Sequence, residues 1–132
     1  MAGPFLALGG GGCDFRPSAP ESRAEYFVEK FILKPAAHDD LRAVAALGET
    51  DSPESLLTEL PVRTAVIYLR ARAQAGVSLG FHVSGSYPVD DDHKTVDVVV
   101  SEDTVLTLEP VRFRVDMTRR DKNWWVTRLQ SD

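Results

Sequence analysis

The spacing of apolar residues changes once along the chain, at Gly76, and this change limits the possible folds more than any other feature. Before Gly76, apolar residues recur every three or four positions, which is typical of amphipathic helices. After Gly76, they alternate with polar or small residues, which is typical of strands with one buried face. A chain that places its helices before its strands, without alternating them, is predicted to have an α+β fold.

The first helical stretch is expected to begin at a capping box formed by Ser22 and Glu25, whose side chains each accept from a backbone amide of the other residue. Lys34-Pro35 is expected to end it, because proline disfavours helical geometry in the residue before it. Its apolar stripe consists of Ala24, Phe27, Val28, Phe31 and Ile32. The stripe predicts that one face of this helix is buried.

Two further helical stretches are predicted before the strands. A short helix is expected from a cap at Asp39 or Asp40 to a stop at Gly48. Its apolar residues are Leu41, Val44, Ala45 and Leu47. The next stretch starts at Pro53, and Pro61 interrupts it, so that either a kink or two helices meeting there is expected. Its apolar positions are Leu56, Leu57, Leu60, Val66 and Leu69.

Four strands are predicted after the helices, separated by polar turns over residues 89–94, 101–104 and 119–123. Consecutive strands joined by such turns favour an antiparallel meander, the last strand of which spans residues 124–130. Together with the helices, this predicts an α+β architecture in which the N-terminal helices pack on one face of a curved four-stranded antiparallel sheet.

The size and charge of the chain exclude several classes of protein. Its 132 residues suit one domain, expected over residues 22–132 after a tail and linker over residues 1–21. A formal net charge of −5 argues against a nucleic-acid partner, because Lys and Arg supply most of that affinity. A single cysteine excludes a disulfide framework and a cysteine-built zinc site, and we expect neither a metal nor a cofactor. No apolar run approaches the ~20 residues of a membrane-spanning helix.

The N-terminal tail contains an apolar stretch over residues 5–8, four glycines and then Cys13. This order resembles the end of a bacterial lipoprotein signal, although no Lys or Arg precedes the apolar stretch and Gly10 stands where that family usually carries Leu. The resemblance implies that Cys13 carries a lipid, which would anchor the domain in the cell envelope facing the periplasm. In that family, Asp directly after the cysteine, here Asp14, resembles an inner-membrane retention signal. The alternative is a cytoplasmic protein whose tail carries a free thiol.

The last predicted hairpin reads Asp-Lys-Asn-Trp-Trp-Val over residues 121–126. With the order of helices and strands, it is similar to the nuclear transport factor 2-like superfamily of cystatin-like rolls. The resemblance implies a cone-shaped roll with a pocket between sheet and helices, used by enzymes such as ketosteroid isomerase and by non-catalytic domains. It also implies a possible homodimer through sheet faces, for which Arg112, Arg114 and Asp116 would supply a polar contact.

The acid–base groups of the strands are predicted to lie away from that pocket. His82, Asp97 and Asp116 alternate with apolar residues, so that all three are expected to face solvent while the apolar face packs on the helices. We therefore favour a non-catalytic domain that binds a small apolar ligand or a protein partner. The alternatives are a small lyase or isomerase that uses His82 or Asp97 as its base, and an assembly domain of a secretion or conjugation apparatus.

Trp124 and Trp125 are adjacent on the last predicted strand, so their side chains are expected on opposite faces. One tryptophan then belongs to the core, and the other lies at a surface, a pocket rim or an interface. An outward-facing tryptophan is a common binding anchor, and the sequence does not distinguish which of the two it is.

Overall fold

The structure, a computed structural model, describes residues 18–48, 50–102 and 109–132. The elements in chain order are α1 (Pro20–Leu33), α2 (His38–Arg42), a 3-10 turn (Pro53–Leu56), α3 (Leu60–Gln74), β1 (Leu79–Asp90), β2 (His93–Glu102), β3 (Val111–Arg120) and β4 (Asn123–Ser131). The strands form one antiparallel sheet in the order β1-β2-β3-β4. Helices packed on a four-stranded antiparallel sheet confirm the predicted α+β fold.

One face of the sheet and the inner faces of α1 and α3 share a single core. The largest fully buried side chains include Phe27 and Phe31 of α1 and Phe113 and Met117 of β3. The rings of Phe27 and Phe31 stack with their centroids 5.2 Å apart. These side chains fill the space between the helices and the sheet, where the superfamily resemblance implied a pocket.

The β1–β2 and β3–β4 hairpins lie at the same end of the sheet, and each turns through two residues. Asp90 pairs with His93 across the first turn, and Arg120 pairs with Asn123 across the second. In the second turn, Asp121 and Lys122 have φ of 54° and 69°. Positive φ at both central positions is the type I′ geometry, whose twist matches that of the flanking strands.

The predicted capping box of α1 is wrong. The helix begins at Pro20 with Ala19 as its N-cap, and the Ala19 side chain makes no capping hydrogen bond. Ser22 instead donates from Oγ to the carbonyl of Ala19, at 3.1 Å. Proline at the first helical position explains the earlier start, because its fixed φ suits the helix and its missing N–H would have no helical partner there.

The second predicted helix ends sooner than expected. The helix α2 stops at Arg42, and Val44 and Ala45 leave it to run parallel to β4. Val126 N–H donates to the Val44 carbonyl, and Ala46 N–H donates to the Val126 carbonyl, each at 2.9 Å. These two hydrogen bonds cover part of the outer edge of β4 and outweigh the local helical pattern.

Pro61 divides the third helical stretch into two helices, as one of the two expectations stated. A 3-10 turn ends at Leu56, and α3 starts at Leu60, which places Pro61 in its first turn. Arg70 of α3 then fastens the end of α1. Its Nε and Nη2 donate to the carbonyl of Phe31 at 3.0 and 2.9 Å, and its guanidinium lies 4.7 Å from the centre of the Phe31 ring.

Candidate functional site

A groove of about 710 Å³ lies between α3 and the beginning of β3. Its walls come from α3 on one side and from residues 109–112 and 131–132 on the other. We call this site the α3 groove. Its lining residues are Leu60, Pro61, Thr64, Ala65, Tyr68, Glu109, Pro110, Val111, Arg112, Ser131 and Asp132.

The outer surface of α3 supplies the apolar wall of the α3 groove. Leu60 is 70% exposed and Tyr68 is 43% exposed, and both lie on the groove with Thr64 between them, at helical spacings of four residues. Ile67, which is 61% exposed, extends this apolar surface beyond the groove. The sequence pattern had grouped Leu60 with buried positions such as Val66, so the exposure of Leu60 corrects that interpretation.

The opposite wall of the α3 groove carries charge. Nη2 of Arg112 lies 2.9 Å from Oδ2 of Asp132, and this hydrogen bond lowers the pKa of Asp132 and raises that of Arg112. Glu109 also lines the groove, and it forms no ion pair within the described part of the chain. The groove therefore combines an apolar helix face with one paired cation and an additional carboxylate.

His82 lies where the sequence predicted it, on the face of the sheet that turns away from the helices, and it is exposed. Asp97 shares that face, but the expectation that it faces solvent is wrong, because only 3% of the residue is exposed. Its cross-strand neighbour Arg114 explains the burial, with Nε at 3.5 Å from Oδ1 of Asp97. No hydrogen bond joins His82 to Asp97 among the described side chains, so the two proposed bases do not form a pair.

Asp116 is half-buried on the same face. Its carboxylate accepts from Thr95 Oγ1 at 3.3 Å and from Gln130 Nε2 at 3.2 Å. Asp116 therefore takes part in cross-strand hydrogen bonds within the sheet.

Both tryptophans of β4 are half-buried. Trp124 packs against the core, and the guanidinium of its cross-strand partner Arg119 lies 5.7 Å from its ring centre. Trp125 donates from Nε1 to the carbonyl of Arg120 at 3.3 Å, and the guanidinium of Arg23 lies 5.3 Å from its ring. Trp124 is thus the tryptophan that reaches the core, while a role for Trp125 as a binding anchor stays a prediction. Neither residue lines the α3 groove.

Cys13, the predicted lipid attachment site, lies outside the described residues. Within residues 18–48, 50–102 and 109–132, no three His, Cys, Asp or Glu side chains are close enough together to hold a metal ion. None of the helices in those ranges is long and apolar enough to cross a membrane.

Sequence reasoning missed the α3 groove. Its lining comes from α3, from the beginning of β3 and from the end of β4, which only the tertiary fold brings together. The available signal was Tyr68 on a helix, four residues after Thr64 and eight after Leu60. That spacing defines a second apolar stripe, separate from the buried stripe of Val62, Val66 and Leu69.

Comparison with known proteins identifies no family. No family model matches the chain, and no curated protein matches it. Among solved structures, the chain is similar to the intermembrane space region of the chloroplast protein ARC6, with 16% identity and a TM-score of 0.42 over 87% of this chain and 98% of that chain. A likeness this low carries no conclusion about the function of this protein.

Proposed function

We propose that this domain is a non-catalytic binding module and that its α3 groove takes an apolar segment of a protein partner. The observation that carries the proposal is the exposure of Leu60, Ile67 and Tyr68 on one helix beside the groove. Contiguous apolar surface on a soluble domain marks interaction sites, whereas single exposed apolar residues do not.

The shape of the groove favours a protein segment over a small molecule. Small-molecule sites bury 70–90% or more of their ligand, which requires enclosing walls. Here Leu60 is largely exposed and Tyr68 partly so, and the apolar surface continues onto Ile67, outside the groove. A partner segment that lies along α3 would cover all three side chains at once.

The charges of the groove indicate the chemistry of the partner. Arg112 is already paired with Asp132, while Glu109 offers a carboxylate that no described cation neutralises. A Lys or Arg beside the apolar anchor of the partner would face Glu109. Such a rim pair adds specificity and association rate more than affinity.

The experiment places a photoreactive p-benzoylphenylalanine at Thr64 of the full chain in the source organism. We expect one defined protein adduct, which Leu60→Glu abolishes and Glu109→Lys weakens. The matched control carries the same probe at Arg42, an exposed position on α2 away from the groove. An adduct that forms equally at Arg42, or that survives Leu60→Glu, would contradict the proposal.

Native mass spectrometry of the purified chain distinguishes a small bound ligand from a protein partner. A bound species below about 1 kDa that Leu60→Glu releases would show that the groove holds a small apolar ligand, and would overturn the protein partner. An unliganded chain that still forms the Thr64 adduct supports the protein partner.

We also propose that Cys13 anchors this module to a membrane through a covalent lipid. Five residues lead from Cys13 to Ser18, a span of at most about 18 Å when extended. A tether of this length would hold the start of α1, and the first hairpin to which Lys94 joins it, close to the membrane, with the α3 groove at the opposite end of the sheet.

A further inference from the structure

The two edges of the sheet differ in how they are covered. Residues 44–46 hydrogen-bond to Val126 on the outer edge of β4. Strand β1 forms the other edge, and no backbone hydrogen bond reaches the outer side of residues 79–83 from any part of the chain that the structure describes. An uncovered edge presents a row of unpaired N–H and C=O groups to other strands.

The alternation of the β1–β2 pairs identifies which residues present those groups. Asp90 and His93 close a two-residue hairpin and form a hydrogen-bonded pair, so that the next pair, Pro88 with Lys94, is a non-bonded one. Pro88 fits this assignment because it has no N–H. Bonded and non-bonded pairs alternate along β2, so the pairs at Val100 and Glu102 are also non-bonded. Their partners on β1, Phe81 and Leu79, therefore direct their N–H and C=O groups away from β2.

Residues 79–83 also lack the usual protection of an edge strand. Natural edges carry charged side chains, prolines or bulges that block pairing. On β1, the bulges lie between Val83 and Gly85 and between Pro88 and Asp90, and they leave residues 79–83 regular. No Asp, Glu, Lys or Arg occurs from residue 79 to residue 89.

We propose that residues 79–83 pair antiparallel with the same residues of a second copy of this chain, around a two-fold axis at Phe81. In this register, Leu79 faces Val83 of the second copy, and the two Phe81 residues face each other. The outward N–H and C=O groups of Leu79, Phe81 and Val83 from both copies then form six hydrogen bonds.

The side chains of residues 79–83 suit this self-pairing. Leu79, Phe81 and Val83 are half-buried against the core, so that each copy continues the apolar face of the other. On the opposite face, Gly80 meets His82 of the second copy. Like charges directly opposite each other destabilise a strand pair. The segment has no Asp, Glu, Lys or Arg, so pairing it with an identical segment creates no such repulsion.

This dimer is distinct from the one that the superfamily resemblance implied, which uses the sheet face at Arg112, Arg114 and Asp116. It is also independent of the α3 groove, because none of residues 79–83 lines that groove. The two dimers differ in which substitutions disrupt them.

The test measures the solution mass of the full chain by analytical ultracentrifugation over a range of concentrations. We expect the wild type to approach twice the 14.5 kDa monomer mass. Phe81→Pro should give a monomer, because proline has no N–H to donate to the second copy. The hydrogen bonds between β1 and β2 do not use this N–H, so they are retained. The control Arg112→Glu, on the same sheet face and paired, among the described residues, only with the exposed Asp132, should leave the dimer intact.

A second pair of variants protects the test against misfolding of Phe81→Pro. Gly80→Asp with His82→Asp places carboxylates opposite each other across the proposed pairing, on the face away from the core. Gly80→Lys with His82→Lys does the same with ammonium groups. Each double variant alone should be monomeric, and a mixture of the two should form a one-to-one heterodimer.

Three results would overturn the edge dimer. The first is a monomeric wild type at all concentrations. The second is loss of the dimer in Arg112→Glu while both Gly80 and His82 double variants dimerise normally, which would assign the contact to the sheet face. The third is a mixture of the Asp and Lys variants that stays monomeric.

Discussion

Nζ of Lys94 at the start of β2 lies 2.8 Å from Oε2 of Glu21 in the first turn of α1, and the Ser86 hydroxyl on β1 donates to the same oxygen at 2.5 Å. These two hydrogen bonds lower the pKa of Glu21 to about 2. They fasten the start of α1 to the first hairpin and thereby set the helix across the sheet.

The lowered pKa of Glu21 predicts a pH dependence of stability. The folded pKa of about 2 lies below the ordinary value of 4.5, so the contribution is full above about pH 4.5 and disappears as the pH falls towards 2. Because the Glu21 side chain is 35% exposed, we expect Glu21→Gln to lower the free energy of unfolding at pH 7 by only about 1 kcal/mol. Urea unfolding at pH 7 and pH 2 measures the difference, with the exposed Glu29→Gln on the same helix as control. An equal loss at both pH values would contradict the prediction.

Arg70 is expected to contribute more to stability than any exposed ion pair. Its two hydrogen bonds to the Phe31 carbonyl satisfy the end of α1, and removal of a charged donor from such a site costs about 1.5–3 kcal/mol. We expect Arg70→Met to lower the melting temperature by several degrees. Glu54→Gln, which removes only the partly exposed ion pair at 2.9 Å, should change stability by less than about 1 kcal/mol. Calorimetry compares both variants with Arg63→Met, a control at an exposed position of the same helix. Equal effects of all three substitutions would contradict a stabilising role for the hydrogen bonds from Arg70 to the Phe31 carbonyl.

We expect the substitution Lys122→Gly to stabilise the folded protein. The φ of Lys122, 69°, lies in the left-handed region, which glycine adopts without the steric penalty of a Cβ. The greater flexibility of glycine in the unfolded chain offsets part of this gain, so we expect Lys122→Gly to add about 0.5–1 kcal/mol. Lys122→Ala, which removes the same side chain and keeps the Cβ, should add nothing. Thermal unfolding compares the two, and an equal response would contradict the role of φ.

Lipidation of Cys13 is expected to give a mature chain that starts at this residue and partitions with membranes. The measurement is the intact mass of the protein expressed from its full genomic locus, together with membrane fractionation. Cys13→Ser should abolish both the added diacylglyceryl mass and the membrane association. A soluble wild-type chain of unmodified mass would reject the anchor.

The parts of the fold that depend on local patterns were predictable from the sequence. The change of apolar spacing at Gly76 indicated the order of helices and strands, and Pro61 marked the division between two helices. The early end of α2 arose because distant residues compete with a local preference. Val44 and Ala45 fit a helical stripe, yet their backbone pairs with Val126, about 80 residues further along the chain.

The candidate site was less predictable than the fold, for a related reason. Alternation placed Asp97 on the polar face correctly, but it does not reveal that Arg114 on the neighbouring strand buries the carboxylate. The α3 groove depends on the position of α3 against the ends of β3 and β4, and no local pattern contains that position.

The unequal covering of the two sheet edges has a consequence for how large an assembly can become. If β1 pairs with β1 of a second copy, each side of the continuous sheet ends in a β4 strand. The outer edge of each β4 is partly covered by residues 44–46 of its own chain. The contact uses the same patch on both copies, and a two-fold contact of that kind closes on itself. Assembly through β1 therefore stops at two copies, and the strand most prone to fibre growth becomes the interior of a finite particle.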